Sequence, residues 1–354
     1  MRVIAGNTWK EGSNHMSNDY RKTWTFLSLF VCTLTANALG QSQKVYWGQS
    51  VDDKISRRNI TSGLVEPVLG FPTANGLVDI AVDPVGSKIV WAQSFESRIQ
   101  RSDFDGTNAQ TIVAFPSAAG ITAIDVDALA QKVYWAHTFN DEIKRANMSG
   151  TGVEVVLAFP DVIDVVDIAL DVAGGKIYWA ESLGDRIRRA NLDGTMIEDL
   201  IAFPDASGIT AIAYDPIGAH IYWAQTFGDR IRRLVPGTSV VETVLETPVT
   251  SGVVDLAIAP VDGKLLWAQA DDTVFSADLL GGNIQQIVHW PDIDGGVAVA
   301  TAQPIPTGGQ IPTVSQWGVV TMFLSLSILG TIILPNRRAS RTDHIQATGV
   351  PTGL

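Results

Sequence analysis

Trp47, Trp91, Trp135, Trp179, Trp223 and Trp267 stand 44 residues apart without deviation. A chain that returns to one aromatic at constant spacing builds the same unit again and again. A period of about 40–45 residues with one such aromatic matches a four-stranded propeller blade. Six such units account for about 264 of the 354 residues, enough for one large domain with a substantial core. The period therefore predicts an all-β, six-bladed β-propeller. Repeated residues build the scaffold, so a specific site belongs where the repeats differ.

The strands can be placed from the repeat around Trp135. Ile121–Asp127 (ITAIDVD) alternates as an inner strand should. Lys132–His137 (KVYWAH) and Glu142–Met148 (EIKRANM) follow, and Ser149-Gly150 turns into Val153–Ala158. Phe-Pro pairs at 71–72, 115–116, 159–160 and 203–204 end the fourth strands. The repeats start at a second strand, Lys44–Gly48, and stop at an inner strand, Val297–Thr301. The last strand is thus expected to complete the first blade and close the ring, leaving no long open edge.

Both ends carry addresses. Arg21 and Lys22 precede an apolar stretch, Trp24 to Leu34, and Ala36-Asn37-Ala38 fits a small-x-small cleavage site. This is the pattern of a secretory signal, starting from Met1 or from Met16. The only cysteine, Cys32, lies inside it, so the mature chain has no disulfide and no thiolate metal site. Near the other end, Trp317 to Leu334 is 18 residues, just enough to span a bilayer, and Arg337 and Arg338 follow. Arginines there would stay cytoplasmic and leave the repeats outside. The balance of 25 basic against 37 acidic residues argues against a nucleic-acid partner, because an acidic surface repels phosphate backbones.

Two family resemblances follow from these residues. The tetrapeptides YWGQ, VWAQ, YWAH, YWAE, YWAQ and LWAQ at the tryptophans, with IAVDPVGSK upstream and DRIRRANLDGT downstream, resemble the YWTD repeat of low-density-lipoprotein-receptor propellers. The resemblance covers residues 44–303 and implies a six-bladed fold that binds other macromolecules. Ala or Gly replaces the Thr of that motif, and Gln, His or Glu replaces its Asp, so the receptor's partners do not carry over. Ile311, Pro312, Thr313, Trp317 and Gly318, the helix after them, and Arg337 and Arg338 resemble the IPTL-CTERM sorting domain of Gram-negative bacteria. That implies export, membrane retention and an exosortase-type processing enzyme as partner. Val314 stands where such domains usually have Leu, and a polar tail follows where they normally stop. The expected layout is residues 1–40 as extension and signal, 41–303 as propeller and 304–310 as linker. Residues 311–338 form the sorting signal with its transmembrane helix, and 339–354 the tail.

Three sets of residues are candidates for function. Asp79, Asp167 and Asp255 lie 88 residues apart, while Ala123 and Ala211 hold the intervening positions. That suggests a two-blade unit copied three times. Either the three carboxylates face one axis and could take calcium, or each bonds backbone N–H groups of the neighbouring blade. No cofactor is otherwise expected. Asp83, Asp127, Asp171 and Asp215 should cap the turns after the inner strands. The arginines Arg98, Arg101, Arg145, Arg186, Arg188, Arg189, Arg230, Arg232 and Arg233 suggest blade-to-blade ion pairs or an anion-binding surface. Phe95, Phe139, Leu183 and Phe227 sit in second-to-third-strand loops with acidic neighbours; exposed, they form a binding surface, and packed, they are core. The histidines are scattered over different blades, and no catalytic motif appears. The expected function is an exported, envelope- or surface-displayed module binding protein or glycan without catalysis. The alternatives are a metal-dependent lactonase- or lyase-like enzyme using the channel, and a passive matrix or spacer protein.

Overall fold

The structure is a computed structural model. It describes residues 44–302 apart from 50–53, 60–61, 72–75, 95–96, 116–119, 138–139, 161–163, 203–204, 207, 227–228, 236, 247–251, 271–272 and 290–295. The chain divides into two compact units, Met1–Thr307 and Gly308–Leu354, and every described residue belongs to the first. The signal, the linker, the sorting motif with Ile311, Pro312, Thr313, Trp317, Gly318, Arg337 and Arg338, and the tail lie outside the described residues. No helix among the described residues is long and apolar enough to cross a membrane.

The described residues form six four-stranded antiparallel sheets, one for each of the six repeat tryptophans, here called blades one to six. Blade two is Leu77–Asp83, Lys88–Gln93, Arg98–Asp103 and Gln110–Ala114. Blade one has its inner strand from the far end of the sequence. Gly296–Ala302 pairs antiparallel with Lys44–Gln49, placing Val299 opposite Trp47 and Ala302 opposite Lys44. The ring closes as the repeat pattern predicts, with strand ends differing by a residue.

The core lies in the seams between blades. Second strands such as Lys88–Gln93 are buried at every residue after the first, because both faces of the strand are covered. One seam packs Ala92 and Ile99 of blade two against Ile121, Ile124 and Trp135 of blade three. All six repeat tryptophans are at most 2% exposed. The Ala after each Trp fits this crowding: a larger group there would enter the seam. In blade one that residue is Gly48, where an added Cβ would stand 2.3 Å from Leu77 Cδ2.

Chain direction alternates within a blade. The first-to-second and third-to-fourth connections therefore emerge on one face, and the second-to-third connections and crossovers on the other. On the first face, Asp83 accepts from the N–H groups of Val85 and Gly86, Asp127 from Leu129 and Ala130, Asp171 from Gly174, and Asp215 from Ile217. These are the expected turn caps. In blades two, three, four and six the third-to-fourth turn packs tightly against the blade before it. Gly194 has φ 84°, and a Cβ there would sit 2.0 Å from the carbonyl oxygen of Val156 in the preceding blade's fourth strand. Only glycine satisfies both conditions.

The arginine series departs from the blade-to-blade expectation. Arg145–Glu154 (2.7 Å), Arg189–Glu198 (2.7 Å) and Arg233–Glu242 (2.6 Å) are ion pairs within a blade. Their backbones pair directly between third and fourth strands, which places the side chains side by side. What crosses to the next blade is a hydrogen bond to a carbonyl, as from Arg145 Nη1 to Leu192 O at 2.8 Å.

Candidate functional site

The six inner strands surround a cavity of about 190 Å³ on the ring axis. An inner strand is an edge: its second strand covers one side, and its other side faces the axis with no strand to pair. Every second N–H there needs another acceptor. Asp79, Asp167 and Asp255 all line this cavity. Asp79 Oδ1 accepts from its own neighbour Ile80 N at 2.7 Å, and Oδ2 from Ile124 N of the next blade at 2.6 Å. Asp167 does the same for Ile168 and Ile212, at 2.7 and 2.6 Å. Asp255 serves Leu256 and Val299, at 2.7 and 2.6 Å.

The 88-residue period now has a physical reason. A carboxylate has two oxygens, so one per two blades satisfies one axial N–H from each blade. The intervening blades need no polar side chain at this level and carry Ala123, Ala211 and Ala298. The structure realises the second alternative, since each carboxylate bonds a backbone N–H of the neighbouring blade, and all three also line one axial cavity. A fourth carboxylate was missed. Asp125 sits one level further along the axis, accepting from Val126 N at 2.7 Å and Leu170 N at 2.8 Å. Its signal was available, because the matching positions are Ala81, Ala169, Ala213 and Ala257.

Burial opposes charge on this set. Desolvation pushes Asp79 up to about 8, against the pull of the Ile124 and Ile80 N–H bonds. Desolvation raises Asp125 to about 6. Asp167 and Asp255 are also raised well above the usual carboxylate range, by burial first and then by the Asp79 charge. Among the described residues, no group of three His, Cys, Asp or Glu side chains stands close enough to hold a metal ion.

The second place where the repeats differ is two residues after each tryptophan. Gln93, His137, Glu181, Gln225 and Gln269 are all buried. Glu181 is fully buried and accepts from Trp179 Nε1 at 2.8 Å, from Arg186 Nε, and from Arg188 Nη1 at 3.4 Å. Arg188 also lies over the Trp179 ring. In blade five the same space is organised by Asp205, which takes Arg232 Nη1 at 2.7 Å while its carbonyl takes Trp223 Nε1 at 3.2 Å. Blade three has His137 instead, edge-on to Phe115 and held below the usual imidazole range by burial and then by Lys144. The sequence showed the substitutions but not that Arg186 and Arg188, on the adjacent third strand, hold the Glu181 carboxylate.

Of the loop set, Leu183 is 68% exposed on the second-to-third-loop face. Phe95, Phe139 and Phe227 lie outside the described residues.

No protein-family model and no curated protein matches this chain. Solved structures do. A chain of the nidogen/laminin complex is 19% identical, with a TM-score of 0.65 over 75% of this chain and 99% of that one. A putative TolB from Agrobacterium tumefaciens is 13% identical, with a TM-score of 0.57 over 72% of this chain and 91% of that one. TolB from Acinetobacter baumannii is 13% identical, with a TM-score of 0.59 over 74% of this chain and 66% of that one. In fold, the chain is a six-bladed β-propeller similar to these.

Proposed function

We propose that this is an exported propeller, displayed on the envelope of a Gram-negative bacterium, that binds a protein or glycan and catalyses no reaction. The observation that carries this reading is the axis. Its carboxylates are spent on the scaffold's own N–H groups, and the ring around it is nearly uniform, whereas catalysis calls for polar groups directed at a substrate. The nidogen/laminin structure, a complex between proteins, supports a binding role by analogy of fold only. Export, membrane retention and handling by an exosortase-type enzyme rest on the residues at the two ends. The contact surface is the face carrying Leu183, with Phe95, Phe139 and Phe227 in the equivalent loops. Substituting these four by Asp should abolish adhesion or aggregation of cells displaying the protein. Unchanged adhesion with the variant still displayed would refute the reading and favour a passive spacer.

The convergence of Asp79, Asp167 and Asp255 on one cavity keeps a second reading in view, a metal-dependent enzyme using the channel with calcium as the candidate ion. It requires those carboxylates to release their N–H partners. A calcium-dependent rise in Tm, lost in Asp167→Ala, would favour it over the binding module.

A further inference from the structure

Twelve of the fourteen large apolar side chains exposed among the described residues lie on one face, that of the first-to-second and third-to-fourth connections. They are not scattered there. The residue at the foot of the fourth strand is apolar and exposed in all six blades: Val65, Ala109, Val153, Ile197, Val240 and Ile284. Closer to the axis, Leu129, Ile217 and Val261 protrude at 52, 69 and 60% exposure. Among the described residues, Leu183 is the one large apolar side chain exposed on the opposite face. Exposed apolar groups repeated around one face mark an interaction surface.

Where the chain leaves the ring identifies the occupant. Lys44 and Ala302 pair at this same face, and 52 residues follow Ala302. The apolar run Val319–Leu334 begins 17 residues beyond it. Seventeen residues span at most about 60 Å. We infer that this apolar face rests on a lipid bilayer, with the Leu183 face turned away from it. The inference rests on the proposed membrane retention and adds to it an orientation and a lipid-contacting surface. The contact is apolar in nature. Lys132 and Lys176 are engaged by Asn147 and Asn191, and Lys88 and Lys264 by Asp103 and Asp278, so few cations are free for anionic headgroups. Salt should therefore weaken it little.

The full chain, with Cys32→Ser, is reconstituted into phosphatidylcholine vesicles carrying nitroxide-labelled lipid. A polarity-sensitive fluorophore is placed at Ile217→Cys or, separately, at Leu183→Cys. The expected result is a blue shift and lipid quenching at 217, neither at 183, and loss of the 217 signal on adding Leu129→Asp and Val261→Asp. Equal, water-like signals at both sites in protein that resists alkaline extraction would overturn the orientation and leave membrane retention standing. Extraction of the chain from the vesicles would overturn both. A shift at 217 that appears without vesicles and grows with protein concentration would overturn the lipid contact in favour of a second copy of this chain.

Discussion

Replacing Asp79 with Ala gives blade two the residue that blades three and five carry at this level, Ala123 and Ala211. In those blades the substitution is harmless because a neighbour supplies the acceptor. In blade two it leaves the N–H groups of Ile80 and Ile124 without one. Each unpaired buried donor costs about 1–3 kcal/mol, so the pair costs about 2–6 kcal/mol, less whatever water recovers in the enlarged cavity. The carboxyl also carries a penalty of its own, and that penalty depends on pH. Its folded-state value, about 8, lies above the ordinary 3.8. Below 3.8 both states hold the proton and the penalty is absent. Between the two values the unfolded chain releases the proton and the folded chain keeps it. Native stability therefore falls as pH rises, by about 1.4 kcal/mol per unit for one such group. Asp79→Ala removes that slope and lowers the slopes of Asp167 and Asp255, whose upward shifts partly come from the Asp79 charge. The variant should be clearly less stable than the parent at about pH 4.5, with the gap narrowing by several kcal/mol toward about pH 8. Urea unfolding followed by tryptophan fluorescence reads this directly, since the repeat tryptophans are buried. A gap that stays constant with pH would refute the coupling between axial burial and charge.

Other outcomes follow from packing. Gly194→Ala should cost about 2–4 kcal/mol, because it adds a clash with Val156 O to an unfavourable φ, whereas Gly237→Ala, at φ 89° with open space around it, should cost only about 1 kcal/mol in the same urea assay. Gly48→Ala should destabilise by about 1–3 kcal/mol by overpacking against Leu77, and Leu77→Val should recover much of that loss in a double-mutant cycle. Glu181→Gln should cost about 1–3 kcal/mol, since Arg186 and Arg188 are partly exposed and water can take up some of their charge.

The ring was legible because a propeller repeats its sequence as it repeats its geometry. Tryptophan spacing gave blade number, and the phase of the first and last repeats gave the closure of Gly296–Ala302 on Lys44–Gln49. The Asp79 series was legible as a period but not as a role. Seeing that one carboxylate serves two blades requires knowing that inner-strand N–H groups point at the axis. Asp125 was overlooked because it falls outside that period. The arginines were assigned to the wrong neighbour, since sequence spacing cannot say whether a side chain meets the next strand or the next blade. Glu181 looked like a variant of Gln, and only the positions of Arg186 and Arg188 reveal a buried charge held by two partners.

The most direct test of an exported, displayed module is the intact mass and cell fraction of the protein from its native envelope. The expected species begins near residue 39–41, lies in the envelope fraction, and is accessible to protease or antibody from outside. A chain retaining its first forty residues and fractionating with the cytoplasm would contradict the assignment.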